Sequence, residues 1–239
     1  VKAGLAYEVP ATTINEVCGS GLKSIIFGMQ QIQLGEARVV VAGGTENMSQ
    51  APKVTGFDYV TQEWQEPKSS MIFDGLTDAF SGKHMGLTAE KVADQYQITR
   101  EIQDQFAYDS QMKAAQASHE GKFESEIVAV PLADGSTLYT DEGIRADTTL
   151  EKISSLKPAF KEGGVVTAAN ASTLNDGASA VVLASKAYAI EHGLDYLAEI
   201  NGYSEVGIDP SIMGVAPVSA INQLLQKVNR TTADIDLFQ

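Results

Sequence analysis

The run Asn15-Glu-Val-Cys-Gly-Ser-Gly-Leu-Lys-Ser24 gathers the residue types most able to do chemistry in this chain. Cys18 is the single cysteine, and it stands directly before the glycine-flanked start of an apolar-periodic segment. The first turn of a helix offers free backbone N–H groups and the positive end of its dipole, and both favour a thiolate over a thiol. Gly19 and Gly21 remove side chains that would keep a substrate away from the backbone. Residue type and placement together point to a nucleophile. The plainer reading is a buried cysteine packing as a small hydrophobe, the commoner meaning of a lone Cys.

Other chemistry-bearing patterns stop short. Gly19 to Ser24 resembles a phosphate loop, but Leu22 stands before Lys23, where that loop needs Gly. His119-Glu120 opens a zinc-protease pattern, but Phe123 replaces its second His. His84, His119 and His192 are far apart in sequence, and one cysteine adds little, so no metal site is expected. A Gly-x-Ser-x-Gly elbow is missing, which leaves a serine hydrolase unsupported.

The elements that must position Cys18 follow from periodicity. Ser20 to Leu34 carries Leu22, Ile25, Ile26, Met29 and Ile32 at helical spacing, with Gly35 just beyond. Arg38 to Ala42 reads as a buried strand closing on Gly43-Gly44, so helix, turn and strand suggest an α/β layer. From Asn47 to Ser81 the chain is turn-rich. Helices are expected over Thr88 to Tyr96 and Arg100 to His119, the latter with Thr99 as N-cap. Asp134-Gly135 between Ile127–Leu132 and Ser136–Tyr139 is a hairpin signal. Val165 to Ala168 and Ala178 to Ala184 are strand candidates, joined by a small and polar run. A helix over Ser185 to His192 stops at Gly193, Tyr196 to Val206 is strand-like, and Pro217 starts a helix that turns Ile221, Leu224, Leu225 and Val228 one way.

Composition narrows the class. The 239 residues are 44% hydrophobic and 20% charged, an ordinary globular balance with enough apolar material for one or two domains. One cysteine excludes an intrachain disulfide. No apolar run reaches the roughly 18 residues of a membrane span. Thirty-one acidic against 17 basic residues, a formal charge of -14, argue against nucleic acid, which needs a basic surface. The chain opens at Val1 without Met, and Asp234 to Gln239 reads as the opening of a buried strand. The expectation is a segment of a longer protein, whose targeting signals cannot be judged and for which the cytoplasm is the working assignment.

Five ordered blocks then carry a resemblance: Asn15-x-x-Cys18-x-Ser20-Gly21; Gly43-Gly-Thr-Glu-Asn-Met-Ser49; Asp74 to Phe80 leading into Lys83-His-Met-Gly-Leu-Thr-Ala-Glu90; Leu156-Lys-Pro-Ala-Phe160; and Val166 to Gly177. They resemble successive motifs of the thiolases, closest to the biosynthetic type, acetyl-CoA C-acetyltransferase. The resemblance implies a thiolase-like layered α/β/α fold with an inserted loop domain, incomplete at both ends. Residues 1–47 and 174–193 would belong to the N-terminal domain, 48–173 to the inserted, CoA-binding loop domain, and 194–239 to the start of the C-terminal domain.

By the same resemblance, Cys18 would accept an acetyl group from acetyl-CoA as a thioester, its backbone N–H helping to form an oxyanion hole. A second acetyl-CoA carbanion would then attack to give acetoacetyl-CoA and CoA, or the reverse reaction would cleave a 3-ketoacyl-CoA. His84, Met85, Leu76 and Ser172 match positions along the pantetheine arm. Ala159, Phe160, Ala168, Leu174 and Met213 match other wall positions, and Arg145 a basic residue near the nucleotide. Without the family, most of these are ordinary core or turn residues. CoA thioesters are substrates, no cofactor is implied, and the parent would be a homo-oligomer, a tetramer first. The segment 143–161 holds four cations and two anions, a local +2 that could steer CoA. Lys152 stands where some relatives place a serine that contacts CoA.

The family's Asn-Glu-Ala-Phe, Gly-His-Pro and Cys-x-Gly motifs do not occur in these residues, so the segment alone is expected not to complete the condensation. Alternatives are a related ketoacyl synthase of the same superfamily, a non-catalytic CoA- or lipid-binding thiolase-like protein, or a structural piece of an oligomer. The His-Met-Gly and Asn-Asp-Gly blocks disfavour the synthase.

Overall fold

The computed structural model describes residues 2–239. In chain order, α1 (Ser20–Gln33) is followed by β1 (Val39–Asn47), β2 (Lys53–Val54), β3 (Phe57–Asp58), β4 (Glu63–Trp64) and β5 (Lys68–Ser69), then a π-helical turn at Met71–Gly75. Next come α2 (Met85–Tyr96), α3 (Arg100–His119), β6 (Val130–Pro131), β7 (Thr137–Leu138), α4 (Leu150–Ser154) and β8 (Asp176–Ala184). The chain ends with α5 (Lys186–Glu191), a 3-10 turn at Pro210–Val215, α6 (Ala216–Lys227) and a second 3-10 turn at Thr232–Asp234. Two compact units result: Val1–Leu76 with Leu174–Val206 and Val218–Gln239, and Thr77–Thr173 with Gly207–Pro217.

In the first unit, β1 and β8 pair antiparallel along their whole length, from Val39 opposite Ala184 to Asn47 opposite Asp176. Helix α1 packs on this ribbon where Gly28 is buried; a Cβ there would lie 2.8 Å from a Leu183 methyl and 3.1 Å from Val40 Cγ1. The stripe therefore centres on Gly28. Leu22, expected on the core face, lies about 120° around the helix from it and is 73% exposed. Alternation along β1 buries Ala42 and half-buries Val40 and Gly44, while Val39 and Val41 face outward. The strand continues through Gly43-Gly44 to Asn47, beyond the expected end at Ala42. Between Asn47 and Ser81, two small ladders, β2 with β5 and β3 with β4, relieve the turn-rich stretch.

In the second unit, α2 and α3 are the long elements. Helix α2 starts at Met85, three residues before the expected Thr88, because His84 caps it. Thr99 caps α3 as expected, accepting the Ile102 N–H. The hairpin at Asp134-Gly135 forms, with Gly135 at φ +85, but only Val130–Pro131 and Thr137–Leu138 pair.

Three strand expectations fail for one reason: a strand needs a neighbour to receive its backbone bonds. Among the described residues, Val165 to Ala168 gives its Val165 and Val166 amides to the Glu90 carboxylate and turns at Thr167. Tyr196 to Val206 is irregular and joins no sheet, held by its own contacts: Gln30 donates to the Tyr203 hydroxyl, and Ser204 to the Ala220 carbonyl. The terminal run leaves the 3-10 turn at Asp234 and continues to Gln239 without forming a strand. Helix α6 begins at Ala216, one residue before Pro217. No helix among the described residues is long and apolar enough to cross a membrane.

Candidate functional site

Cys18 is exposed and sits immediately before Gly19, the N-cap of α1. The residues around it explain their own types. Asn15 Oδ1 accepts the Val17 N–H at 2.8 Å, fixing a tight turn in which Val17 takes φ +51, a region that β-branched residues rarely enter. The Ser20 hydroxyl donates to the Val17 carbonyl at 2.7 Å and accepts the Glu16 N–H at 2.8 Å, lacing the turn to the helix. Gly21 lies against β1, since a Cβ on Gly44 would sit 3.2 Å from Gly21 Cα. Ser24 adds a donor to the Gly43 carbonyl at 2.9 Å. The result is an exposed thiol on a turn gripped from both sides.

Lys23, one turn into α1, is not free to serve this thiol. It pairs with Glu205 and lies 3.6 Å from Glu16. The hydrogen bond with Glu205 raises its pKa above the ordinary lysine value, with the Glu16 and Glu205 charges assisting and desolvation opposing.

The second unit brings together several of the other expected positions. His84 Nδ1 accepts the Gly86 N–H at 3.0 Å, which leaves Nε2 to carry the proton of the neutral ring. That ring stacks on Phe160, with centroids 4.8 Å apart. Gly86 is buried beneath the Phe160 face, where any Cβ would overlap the ring. Met85 is half-buried beside His84 at the helix start, and Ala159 and Ala168 are exposed on the segment that carries Phe160. A shallow cavity of about 430 Å³ lies along residues 157–163.

Ser172 and Met213 lie exposed in the same unit, and Leu76 and Leu174 belong to the first unit. Arg145 is exposed on a loop whose backbone is tied to Gln111. The locally basic segment is partly neutralised. Lys161 donates to Asp94 at 2.9 Å, which raises its pKa above the ordinary lysine value, and Lys152 lies 3.8 Å from Asp147. Among the described residues, no group of His, Cys, Asp and Glu could hold a metal ion.

Sequence reasoning missed two carboxylates, Glu90 and Asp104, each 1% exposed. Asp104 receives Arg100 Nε at 2.6 Å and Asn170 Nδ2 at 3.0 Å. The same guanidinium donates to the Ile153 and Leu156 carbonyls at 3.0 Å, and Asn170 also bonds Val165 O and the Thr167 amide. Glu90 takes the Val165 and Val166 amides at 2.9 to 3.0 Å. A signal was available: Glu90 shares a helical stripe with buried Gly86 and Ala93, where an ionisable residue needs a purpose.

The comparisons agree on one family. The profile of the thiolase N-terminal domain matches residues 1–187, and that of the thiolase C-terminal domain matches 194–239. A "Probable acetyl-CoA acyltransferase" of Staphylococcus aureus (strain COL) is 47% identical over 248 residues, covering 100% of this chain and 62% of the relative. The acetyl-CoA acetyltransferase of Bacillus anthracis is 43% identical with a TM-score of 0.86, over 94% of this chain and 58% of that one. Human mitochondrial 3-ketoacyl-CoA thiolase in complex with CoA is 41% identical with a TM-score of 0.91, over 99% and 60%. The chain spans about 62% of the length of the curated relatives it matches.

Proposed function

Because the chain belongs to the thiolase family and has its α/β fold, we propose that it is an acyltransferase acting on coenzyme A thioesters, with Cys18 as the nucleophile. The observation that carries this reading is the exposed Cys18 on its braced turn at the start of α1. The Cys18 thiolate attacks the carbonyl carbon of acetyl-CoA. The tetrahedral oxyanion takes a hydrogen bond from the Cys18 amide, and the C–S bond to CoA breaks as the departing thiolate gains a proton. An acetyl-Cys18 thioester remains. In the second half-reaction, a carbanion from another acetyl-CoA attacks that thioester, acetoacetyl-CoA forms, and the Cys18 thiolate is released.

His84, Met85, Leu76 and Ser172 are read as contacts for the pantetheine arm, Ala159, Phe160, Ala168, Leu174 and Met213 as further wall positions, and Arg145 as a contact near the nucleotide. Acetyl as the transferred group rests on likeness to biosynthetic thiolases. Thiolysis of longer 3-ketoacyl-CoA is the second reading, favoured by the 41% identity with the human 3-ketoacyl-CoA thiolase. A homotetramer is our proposal for the assembled enzyme.

Intact-protein mass spectrometry after mixing with acetyl-CoA tests the first half-reaction. One acetyl group on the Cys18 peptide, lost in Cys18→Ser, is expected, and longer acyl-CoA donors are expected to label it more slowly. The 239 residues by themselves are expected to form no acetoacetyl-CoA, having one cysteine where the condensation uses two. A folded protein with no adduct on Cys18 refutes the assignment.

A further inference from the structure

We propose that Glu90 is a positioning residue for the coenzyme A arm: its buried carboxylate holds the segment 157–168, and with it Phe160, in register with His84 at the start of the same helix. The inference rests on the function proposed above. Burying a carboxylate is unfavourable unless hydrogen bonds and charge compensate it. Here the compensation is specific. Both oxygens accept the Val165 amide at 3.0 Å, one also accepts the Val166 amide at 2.9 Å, and Lys161 Nζ lies 3.7 Å away.

Val166 passes the constraint on. Its carbonyl accepts the Ala159 N–H at 2.9 Å, and Ala159 precedes Phe160. Phe160 in turn stacks on His84, the N-cap of the helix that carries Glu90. A closed loop of contacts therefore runs from one helix through two adjacent amides and back to its own cap. Gly164 is buried where the carboxylate enters, and any Cβ there would overlap Glu90 Oε1. An apolar side chain on this stripe would pack the segment without the desolvation cost, but it would not orient two peptide planes. The charge serves geometry.

Two variants test this in the protein expressed from its native gene. Glu90→Gln keeps the volume but turns one acceptor into a donor facing an amide. Gly164→Ala displaces the carboxylate from the opposite side with Glu90 intact. Both are expected to bind CoA about 10-fold more weakly by calorimetry and to need about 10-fold more acetyl-CoA for half-maximal acetylation of Cys18. Acetylation by S-acetyl-N-acetylcysteamine, a thioester without the long arm, should stay within about twofold of wild type, as should the rate at saturating acetyl-CoA.

Wild-type CoA affinity in the variants, or equal losses on the long and short thioesters, overturns the positioning role while leaving the function intact. A wild-type protein that neither binds CoA nor is acetylated refutes the function and this inference together. If Glu90→Gln melts below the assay temperature, Gly164→Ala decides by the same two outcomes.

Discussion

The close approach of α1 to β1 makes Gly44 the most informative position for testing how Cys18 is aimed. A methyl group on Gly44 would lie 3.2 Å from Gly21 Cα and 3.6 Å from its amide nitrogen. Carbon atoms pack best at about 3.5 to 4.0 Å, so the start of α1 must retreat by roughly 0.3 to 0.8 Å in Gly44→Ala. The retreat reaches Cys18 because Ser20 ties the helix start to Val17 and Glu16. Reacting atoms need near-attack distances, and a misplacement of about 1 Å costs on the order of 100-fold, so a loss of about 10-fold in Cys18 acetylation is expected. Stability should change by less than about 1 kcal/mol, since one contact tightens while the unfolded chain loses freedom.

Gly43→Ala supplies the contrast. Its methyl would overlap the Ser179 carbonyl oxygen and lie 3.0 Å from Ala180 Cα, both backbone atoms of β8. The ladder must open, and a loss of about 3 kcal/mol is expected. Acetylation followed by mass spectrometry, beside urea denaturation of both variants, separates the effects. Wild-type acetylation in Gly44→Ala, or wild-type stability in Gly43→Ala, would refute the reasoning.

Two further outcomes follow from the polar contacts. Asp104→Ala leaves Arg100 without its carboxylate partner and removes one of the two acceptors of the Asn170 amide, and should lose about 3 kcal/mol in urea denaturation; a loss under about 1 kcal/mol would mean the pair does not hold α4 and the 165–170 turn. Hydrogen bonds from the Ser49 hydroxyl and amide hold Asp176 below the usual carboxylate range. A depressed folded-state pKa stabilises above the unfolded value near ~3.9 and ceases to as pH falls through the folded value, so Ser49→Ala should be less stable at pH 7 and converge with wild type at a pH below the folded value. An equal gap at both pH values would show that the aspartate is not the source.

How much of this was legible in the sequence depends on where each residue's bonds go. Helices with their own caps were readable: Thr99 before α3, and Ser185 with Gly193 around α5, are local chemistry. The helix start beside Cys18 was readable for the same reason, since Gly19 and Gly21 stand directly after it in the chain. Strands were read from apolarity alone, and that fails when the partner is not another strand. Val165 and Val166 look like strand residues, but their amides belong to a glutamate 75 and 76 positions away. Glu90 and Asp104 were missed because acidic residues on helices are usually solvated, and only the packed structure places them inside. His84 and Phe160 were reached through the family blocks, not through spacing, and that they stack was not legible in the sequence.

Val17 ties stability to selection. An L-residue held in the left-handed region costs about 1–2 kcal/mol, and a β-branched one has no local hydrogen bond from its side chain to offset it. A screen for thermal tolerance would therefore collect Val17→Gly or Val17→Asn, because each relaxes the turn. Selection for acyl transfer would discard the same changes, since the stiffness they remove is what fixes the direction of the Cys18 Cα–Cβ bond. At this residue, directed evolution toward a hardier protein and toward a faster one should part ways at the first round.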